Sequence, residues 1–279
     1  MHIVCCVKQV PDTTQVKIDP ATNTLIRTGV ESICNPYDLI AVEAAVRLKE
    51  KYGGKVTVVS MGPPQTESAL RECLSIGADN AVLISDRAIA GADTLATSYT
   101  VSLAIIKLNA EDPVSLVLCG KQAIDGDTAQ VGPGIATRMN YSQLTYVSEI
   151  VKVDLAANTI TVKREVDGGT EVIEAPMPAL LTAELNLAVT RYPSLPELIR
   201  SLRQEVKIWD AKAVNGQAEF LGLKGSATTV KDIWSPTGRT GGTQYDATED
   251  KNGGVDNFLN AIFDKEKRLL DEVLVKEQK

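Results

Sequence analysis

The first 120 residues alternate short apolar runs with stretches in which apolar positions recur every three or four residues. The runs are 2–8, 55–62, 81–85 and 114–120, and the helical patterns between them cover 36–52, 66–76 and 94–108. Continuous apolar runs are typical of strands buried on both faces, and the intervening helices supply the cover. This pattern predicts a parallel α/β sheet in which each strand is followed by a helix.

The predicted helix ends carry suitable residues. Asn35 is a favourable N-cap residue before Pro36, and Gly53 and Gly77 close the first two helices. Between the first strand and its helix runs a long connection, in which "QVKID" and "TLIRT" predict a small hairpin about "PATN". A connection of that length is usually functional or part of an interface.

The pattern changes after about residue 143. Residues 145–183 predict three or four strands, with turns at 156–158 and 167–169, added to the sheet as a meander and not as another β-α-β unit. The predicted fold is therefore a parallel, doubly wound α/β sheet with added antiparallel strands.

From residue 209 the chain is rich in Gly, Thr and charged residues, which predicts an extended arm. The arm ends in a predicted helix whose apolar stripe needs a partner, and its members are Val255, Phe258, Leu259, Ile262, Phe263, Leu269 and Leu270. The predicted domains are 1–208, which includes strands 145–183 and a loop at 191–200, and 209–279.

The charge, the apolar runs and the cysteines of the sequence exclude several classes of partner and compartment. The 279 residues carry a net charge of −7 and a pI near 5.0, which argues against nucleic acid or an anionic membrane as the main partner. No apolar run approaches the ~20 residues that cross a bilayer, so no membrane insertion is predicted. The five cysteines show no C-x-x-C spacing and no leader is recognisable, so a cytoplasmic protein with reduced thiols is predicted.

The candidate chemistry lies in loops after the predicted parallel strands, which open at one edge of the sheet. In "GKQAIDGDTAQ", Asp127 or Thr128 is expected to cap the next helix, while Gly126 lets a phosphate approach its amides. In "SDRAIAGADTLAT", Gly91 and Thr94 predict a second phosphate site. The convergence of such loops predicts a nucleotide.

Other chemistries fit poorly. The chain has no G-x-x-x-x-G-K-[ST], and "GPGIAT" is only a near miss to G-x-G-x-x-G. The single histidine, His2, is expected to be structural, so neither a metal site nor a histidine-based triad is predicted. Asp125 and Asp127 could act as acid and base, but capping and loop hydrogen bonds are the favoured use.

Several segments together resemble the beta subunit of electron transfer flavoprotein. They are "VKQVPDT", "NPYDLIAVEAAVRLKE", "GADTLAT", "GKQAIDGDTAQVGP", "VKREVDGGTEVIEAPMPALLTA" and "RYPSLPELI". The resemblance implies a nucleotide-binding fold of the adenine-nucleotide alpha-hydrolase-like type. It also implies an alpha subunit that carries one FAD, and a partner of the acyl-CoA dehydrogenase type.

The family has two branches, and both remain open from the residues alone. In one branch the beta subunit holds only AMP. In the other it holds a second FAD, takes hydride from NADH and bifurcates the electron pair, sending one electron to the alpha-subunit FAD and one to ferredoxin or flavodoxin. "KQVPDT", "NPYD" and "SDRAIAGADTLATSY" resemble the second branch.

The resemblance also implies roles for particular residues. The adenosine-side wall would be Val7, Lys8, Asn35, Ser60, Met61 and Gly62. The phosphate cradle would be Gln122, Asp125, Gly126, Asp127, Thr128, Ala129, Gln130 and Gly132. NADH would meet Ala90, Gly91, Ala92, Asp93 and Thr94; Arg164 and Glu165 would approach the alpha-subunit flavin; and Leu195 would dock the partner dehydrogenase.

Two other classes share the sheet. A universal-stress-type nucleotide-binding module would end near residue 150 and has no use for the later strands and arm. An ATP-pyrophosphatase-type ligase needs S-G-G-x-D-S after the first strand, where this chain has "VKQVPDT".

Overall fold

The computed structural model describes residues 1–12, 17–18, 25–26, 31–229, 243, 245–246, 248 and 251–265. The chain forms two compact units, Met1–Ile233 and Trp234–Lys279. The strands are β1 (His2–Cys6), β2 (Gln9–Pro11), β3 (Lys17–Ile18), β4 (Leu25–Ile26), β5 (Ser32–Cys34), β6 (Lys55–Met61), β7 (Asn80–Ile84), β8 (Val114–Gly120), β9 (Ser142–Asp154), β10 (Thr159–Val166), β11 (Gly169–Pro176), β12 (Ala179–Ala183) and β13 (Val206–Trp209). The helices are α1 (Pro36–Tyr52), α2 (Glu67–Ser75), α3 (Thr94–Glu111), α4 (Val131–Met139), α5 (Leu195–Arg203), α6 (Gly222–Gly225) and α7 (Lys251–Lys265).

The first unit is built on a nine-stranded sheet of order β11-β10-β9-β12-β8-β1-β6-β7-β13. Every neighbouring pair from β9 to β13 is parallel, whereas β10 pairs antiparallel with both β9 and β11. The predicted class, a largely parallel α/β sheet with added antiparallel strands, is confirmed.

The central strands are buried on both faces because helices cover both sides of the sheet. Ile3 and Leu116 pack on the side of α1 and α2, while their neighbours Val4 and Val117 pack on the side of α3 and α4. All four side chains are fully buried. The continuous apolar runs of the sequence thus follow directly from two-sided burial.

The strands after residue 142 differ in one respect from the prediction. β9, β10 and β11 form the expected meander, but β12 returns to lie between β8 and β9, parallel to both. Helix α4 therefore links two parallel strands, β8 and β9, whereas residues 142–183 form strands without a helix, as predicted.

The predicted helix limits hold for α1, which ends at Gly53 with a φ of 77°, and Gly77 follows α2 with a φ of 119°. β3 pairs with β4 as the predicted hairpin, whereas its "PATN" turn lies outside the described residues. Helix α4 begins at Val131, three residues after Thr128, the later of the two residues predicted to cap it.

The segment after β13 packs on the sheet before the second unit begins. Ala211, Val214 and Leu221 are buried against the α3 side of the core. Single apolar side chains between short turns leave no periodic signal, which is why the sequence indicated an arm from residue 209. The two-domain division at 209, and the packing of the arm on an alpha subunit, stay predictions.

In the second unit, α7 exposes part of the predicted apolar stripe. Val255 and Phe258 are each 47% exposed and Leu259 is 39% exposed. Leu269 and Leu270 lie outside the described residues. Across the described residues, no helix has the length and apolar character needed to cross a bilayer.

Candidate functional site

The candidate site lies where β1 and β8 run side by side. The chain leaves β1 toward α1 on one face of the sheet and leaves β8 toward α4 on the other. Such a point opens a crevice outside the carboxyl ends of the strands, and α/β proteins bind their ligands in that crevice. Val7 and Lys8 follow β1 at this point, and Gly120 ends β8.

Asp38, in the first turn of α1, ties the two strand ends together. One carboxylate oxygen accepts a hydrogen bond from Lys8 N and the other accepts one from Gly120 N, both at 2.8 Å. A Cβ on Gly120 would lie within 2.4 Å of the Asp38 carboxylate, so this close approach requires glycine. Burial raises the pKa of Asp38 to about 7 even though two amides favour the charged form.

Asn35 joins α1 to the loop after β8. It occupies the N-cap position of α1, as predicted, although its side chain makes no capping bond. Asn35 Nδ2 instead donates to Gln122 O at 2.9 Å, and Ile124 N donates to Asn35 Oδ1 at 3.2 Å. Because Asn35 is fully buried, these bonds fix the loop after β8 over the crevice.

Two aspartates shape the exposed part of this loop. Lys8 Nζ lies 2.7 Å from both carboxylate oxygens of Asp125, and Gln122 Nε2 donates to Asp127 Oδ1 at 2.8 Å. These contacts support the structural use of the two carboxylates over acid and base chemistry.

The start of α4 is open. Its N-cap residue is Gln130, which makes no side-chain capping bond, so the prediction that Asp127 or Thr128 caps the helix is wrong. The physical reason is the backbone: Asp127 has a φ of 50° and Ala129 a φ of 53°, and these left-handed residues delay the helix. Left-handed and right-handed residues in succession, with the amides of a first turn, form a concavity suited to anions.

Glycines keep the crevice and its cradle accessible. A Cβ on Gly126 would meet nothing within 4 Å, whereas a Cβ on Gly132 would lie 2.8 Å from Thr182 Cγ2. Gly126 thus leaves open space at the loop, and Gly132 lets α4 lie close to the sheet.

Ser60, Met61 and Gly62 lie at the end of β6, the next strand from β1. Ser60 is 1% exposed, and in the described part of the chain its hydroxyl has no hydrogen-bond partner. A buried polar atom without a partner is costly. The residues present therefore fit a polar ligand beside Ser60.

The predicted second phosphate site, at the start of α3, is built differently. Asp93 caps this helix: one oxygen accepts from Leu95 N and Ala96 N, each at 3.0 Å. The other oxygen accepts from Thr228 N at 2.9 Å and Thr228 Oγ1 at 3.0 Å. The amides that a phosphate would use are therefore already paired with a carboxylate.

The remaining residues of the α3 loop stay at the same edge of the sheet. Ala90 and Gly91 are exposed, and Ala92 and Thr94 are half-buried. Thr94 Oγ1 donates to Gln130 Oε1 at 2.7 Å, which places the starts of α3 and α4 side by side. Leu223 packs against Gly91, whose φ is 72°.

Arg164 and Glu165 form a separate group on β10. Three strand spacings, about 14 Å, separate β10 from β8. Arg164 Nη2 donates to Thr145 Oγ1 at 3.1 Å, and within the described chain Arg164 Nε is buried without a partner. Glu165 accepts from Asn186 Nδ2 at 2.8 Å. Leu195 begins α5 and is 69% exposed, also away from the crevice.

His2 has the structural role expected of it. It lies at the opposite, amino-terminal edge of the sheet, where its ring nitrogens contact Asp112 O at 3.0 Å and Thr57 Oγ1 at 2.9 Å. Burial lowers the pKa of His2.

Sequence reasoning missed Asp38, whose role depends on partners far along the chain. Its only local signal was an acidic residue in the first turn after "NP", which also suits an ordinary helix start.

Comparison with known proteins agrees with this architecture. The family described as "Electron transfer flavoprotein domain" matches residues 22–214. Protein FixA of Azotobacter vinelandii is 53% identical over 241 residues, which cover 86% of each chain. Protein FixA of Azorhizobium caulinodans is 45% identical over 276 residues, which cover 98% of each chain.

A third relative carries the family name itself. Electron transfer flavoprotein subunit beta of Clostridium acetobutylicum is 51% identical over 231 residues, which cover 83% of this chain and 86% of that protein. Identity of this extent, together with the family match, decides between the classes that share the sheet. The chain belongs to the electron transfer flavoprotein family, as a subunit of the beta and FixA type.

Proposed function

We propose that the crevice between β1 and β8 binds a nucleotide whose phosphates lie at the start of α4. The observation that carries this proposal is the uncapped α4 start beside left-handed Asp127 and Ala129, held in place by Asn35. The cradle residues are Gln122, Asp125, Gly126, Asp127, Thr128, Ala129, Gln130 and Gly132. The residues on the adenosine side are Val7, Lys8, Asn35, Ser60, Met61 and Gly62. The supporting observation is the Ser60 hydroxyl, which is buried and has no hydrogen-bond partner among the described residues.

The nucleotide that we propose is FAD, with NADH as the electron donor. When bound, FAD supplies the redox chemistry: it accepts hydride from NADH, and the electron pair is divided between the alpha-subunit FAD and ferredoxin or flavodoxin. Support comes from the resemblance of "KQVPDT", "NPYD" and "SDRAIAGADTLATSY" to the two-FAD branch. An electron carrier that holds AMP in this crevice is the alternative, since the same cradle suits either nucleotide.

The proposed NADH contacts are Ala90, Gly91, Ala92, Asp93 and Thr94. The amides of Leu95 and Ala96, at the start of α3, already donate to the Asp93 carboxylate. We therefore assign Asp93 to holding the loop and not to binding phosphate. NADH would then meet the exposed backbone of Ala90 and Gly91. Of the two helix starts compared, α3 is capped and α4 is not, so we propose a second nucleotide on the resemblance alone.

We further propose that the chain acts in a cytoplasmic complex. Its alpha subunit would place a flavin near Arg164 and Glu165, where a cation can stabilise a reduced, anionic flavin. An acyl-CoA dehydrogenase would dock at Leu195, an exposed apolar side chain stiffened by Pro193 and Pro196. The five cysteines are free thiols, which fits a reducing compartment.

The test is a count of cofactors in the purified complex of this chain with its alpha subunit. Two FAD per heterodimer, with rapid bleaching of the flavin absorbance on addition of NADH, is the expected result. One FAD and one AMP, without bleaching, would establish the AMP-binding carrier instead. An absence of any nucleotide from this subunit would refute the assignment of the crevice.

A further inference from the structure

The loop that carries Leu195 is exposed along its whole length. We call residues 192–195 the docking loop. All four side chains are exposed, with Tyr192 at 97% and Leu195 at 69%. A short exposed segment with two large apolar side chains is expected to be mobile unless its ends are fixed. Here both ends are fixed by arginines.

Arg191 fastens the first end to α1. Its Nε and Nη2 donate to the two carboxylate oxygens of Glu43 at 2.9 and 3.1 Å, and its backbone amide donates to Glu43 at 3.2 Å. Its Nη1 and Nη2 also donate to the two oxygens of Glu50 at 2.6 and 3.0 Å. Arg47, one turn after Glu43, adds a bond of 2.7 Å to Val189 O. The Arg191 side chain thus joins two carboxylates, Glu43 and Glu50, on the same face of α1.

Glu43 is the centre of this arrangement. Its side chain is 1% exposed, so the carboxylate depends on paired partners. Burial alone would raise the pKa of Glu43, but the hydrogen bonds from Arg191 and Arg47 hold that pKa below its ordinary value. A planar guanidinium satisfies such a carboxylate in a single orientation, which a lysine cannot do.

The second end of the docking loop is fixed to α2. Ser194 caps α5, where its hydroxyl accepts from Glu197 N at 3.4 Å. Arg200 Nη2, further along α5, donates to Leu74 O at 2.9 Å and to Ala78 O at 3.0 Å. The four exposed residues therefore bridge two helices of the core.

We propose that Arg191, with Glu43 and Glu50, is a clamp that positions Tyr192 and Leu195 for a partner dehydrogenase. This proposal rests on the docking role of Leu195 given above. A loop that is already ordered loses less conformational freedom when it binds, and this difference appears as affinity. Arg191 is a positioning residue: it need not touch the partner, and it acts through the two exposed side chains. Tyr192, a residue type enriched at interface hot spots, becomes the second anchor.

The experiment uses the holo-heterodimer and a purified acyl-CoA dehydrogenase that exchanges electrons with it. Arg191→Lys keeps the charge and loses the planar fork. Glu50→Gln removes the negative charge and one of the two oxygens that accept from Arg191, and it leaves the buried Glu43 pair in place. Glu111→Gln is the matched control, since Glu111 is exposed at the far end of α3 and has no ion pair among those of the described residues. Leu195→Ala and the double variant Arg191→Lys/Leu195→Ala complete a cycle.

Arg191→Lys is expected to raise the KM for the dehydrogenase about fivefold and to leave kcat unchanged. The reason is that a few side chains of the docking loop, no longer held in place, must then be ordered when the dehydrogenase binds. Glu50→Gln should act in the same direction and less strongly, and Glu111→Gln should have no effect. Amide hydrogen exchange at 192–198 should accelerate in Arg191→Lys, while flavin content and NADH oxidation by a dye stay unchanged. In the Leu195→Ala background, Arg191→Lys should raise the KM by a smaller factor than in the unmodified heterodimer, because only Tyr192 remains to be positioned.

Two failures are distinguishable. If Leu195→Ala leaves the KM unchanged, or if no acyl-CoA dehydrogenase exchanges electrons with the unmodified heterodimer, the docking role itself is wrong. If Leu195→Ala raises the KM and Arg191→Lys does not, the clamp is a structural ion pair without a positioning role. The same conclusion follows if the effect of Arg191→Lys is as large in the Leu195→Ala background as in the unmodified heterodimer. Unchanged hydrogen exchange at 192–198 in Arg191→Lys would overturn the clamp independently of any partner.

Discussion

The starts of α3 and α4 lie side by side and contain the same dipeptide, yet they are built in opposite ways. In α3, Asp93 and Thr94 stand directly at the helix start, and the Asp93 carboxylate accepts the first-turn amides. In α4, Asp127 and Thr128 precede the helix by several residues, and the N-cap position makes no side-chain bond. The same residue pair therefore closes one helix start and leaves the other open.

The difference between a capped and an uncapped helix start determines where an anion can bind. A capped start has its donors paired with a carboxylate of the chain, which both occupies the amides and repels phosphate. An open start keeps its donors and its positive end for a ligand. We therefore assign the nucleotide phosphates to α4, and any NADH that reaches the α3 loop must be held by other contacts.

The largest expected effect concerns pH and the two aspartates, Asp38 and Asp93. Because burial raises the pKa of Asp38 to about 7, folding favours its protonated form. Its contribution to stability is fully present below the unfolded pKa and is lost as pH rises through about 7, a change on the order of 4 kcal/mol. Asp93 acts in the opposite sense: burial opposes the charge, but amide bonds hold its pKa below the ordinary value, so its contribution is lost on acidification.

Urea unfolding of the nucleotide-free complex between about pH 4 and pH 8 measures the Asp38 effect. Asp38→Asn should be less stable near pH 5, because its amide nitrogen must face a backbone donor, and should lose much of the decline in stability toward pH 8. An identical pH slope in the variant and the unmodified protein would show that Asp38 stays charged.

The second effect tests the caps themselves. Asp93→Ala removes four accepted hydrogen bonds and should lower the free energy of unfolding by about 2 kcal/mol. Gln130→Ala, at the equivalent position of α4, should cost less than about 0.5 kcal/mol because it makes no capping bond. Chemical denaturation of both variants measures the difference. Equal losses would contradict the contrast between a capped and an open start.

The smallest effect concerns the Ser60 hydroxyl, which is buried and has no hydrogen-bond partner in the part of the chain that the structure describes. Ser60→Ala removes this polar atom and should stabilise the nucleotide-free protein by about 1 kcal/mol. In the nucleotide-bound complex that gain should shrink or reverse, because the hydroxyl then has a ligand partner. Thermal unfolding with and without nucleotide checks this; the same gain in both states would place Ser60 outside the site.

The fold could be predicted from the sequence because β1, β6, β7 and β8 are buried on both faces, and such strands are continuous apolar runs. The site was readable only in outline. Alanine gives no sequence signal for a left-handed backbone, so the sequence could not predict that Ala129 is left-handed and that α4 begins late. Asn35 binds Gln122 and Asp38 binds Gly120, each more than 80 residues away, and no local pattern predicts these contacts.

Conversion of the open α4 start into a capped one tests whether the nucleotide phosphates bind there. Gln130→Asp places a carboxylate at the N-cap position of α4, as Asp93 does in α3, and Gln130→Asn is the matched variant without the charge. We expect the nucleotide to bind at least about tenfold more weakly to Gln130→Asp, which both occupies the amides and repels phosphate. Gln130→Asn should lose less affinity, because its amide oxygen can occupy the same donors without the negative charge. Equal nucleotide affinity of Gln130→Asp and the unmodified heterodimer, measured by calorimetric titration of the nucleotide-depleted complexes, would contradict the assignment of the phosphates to α4.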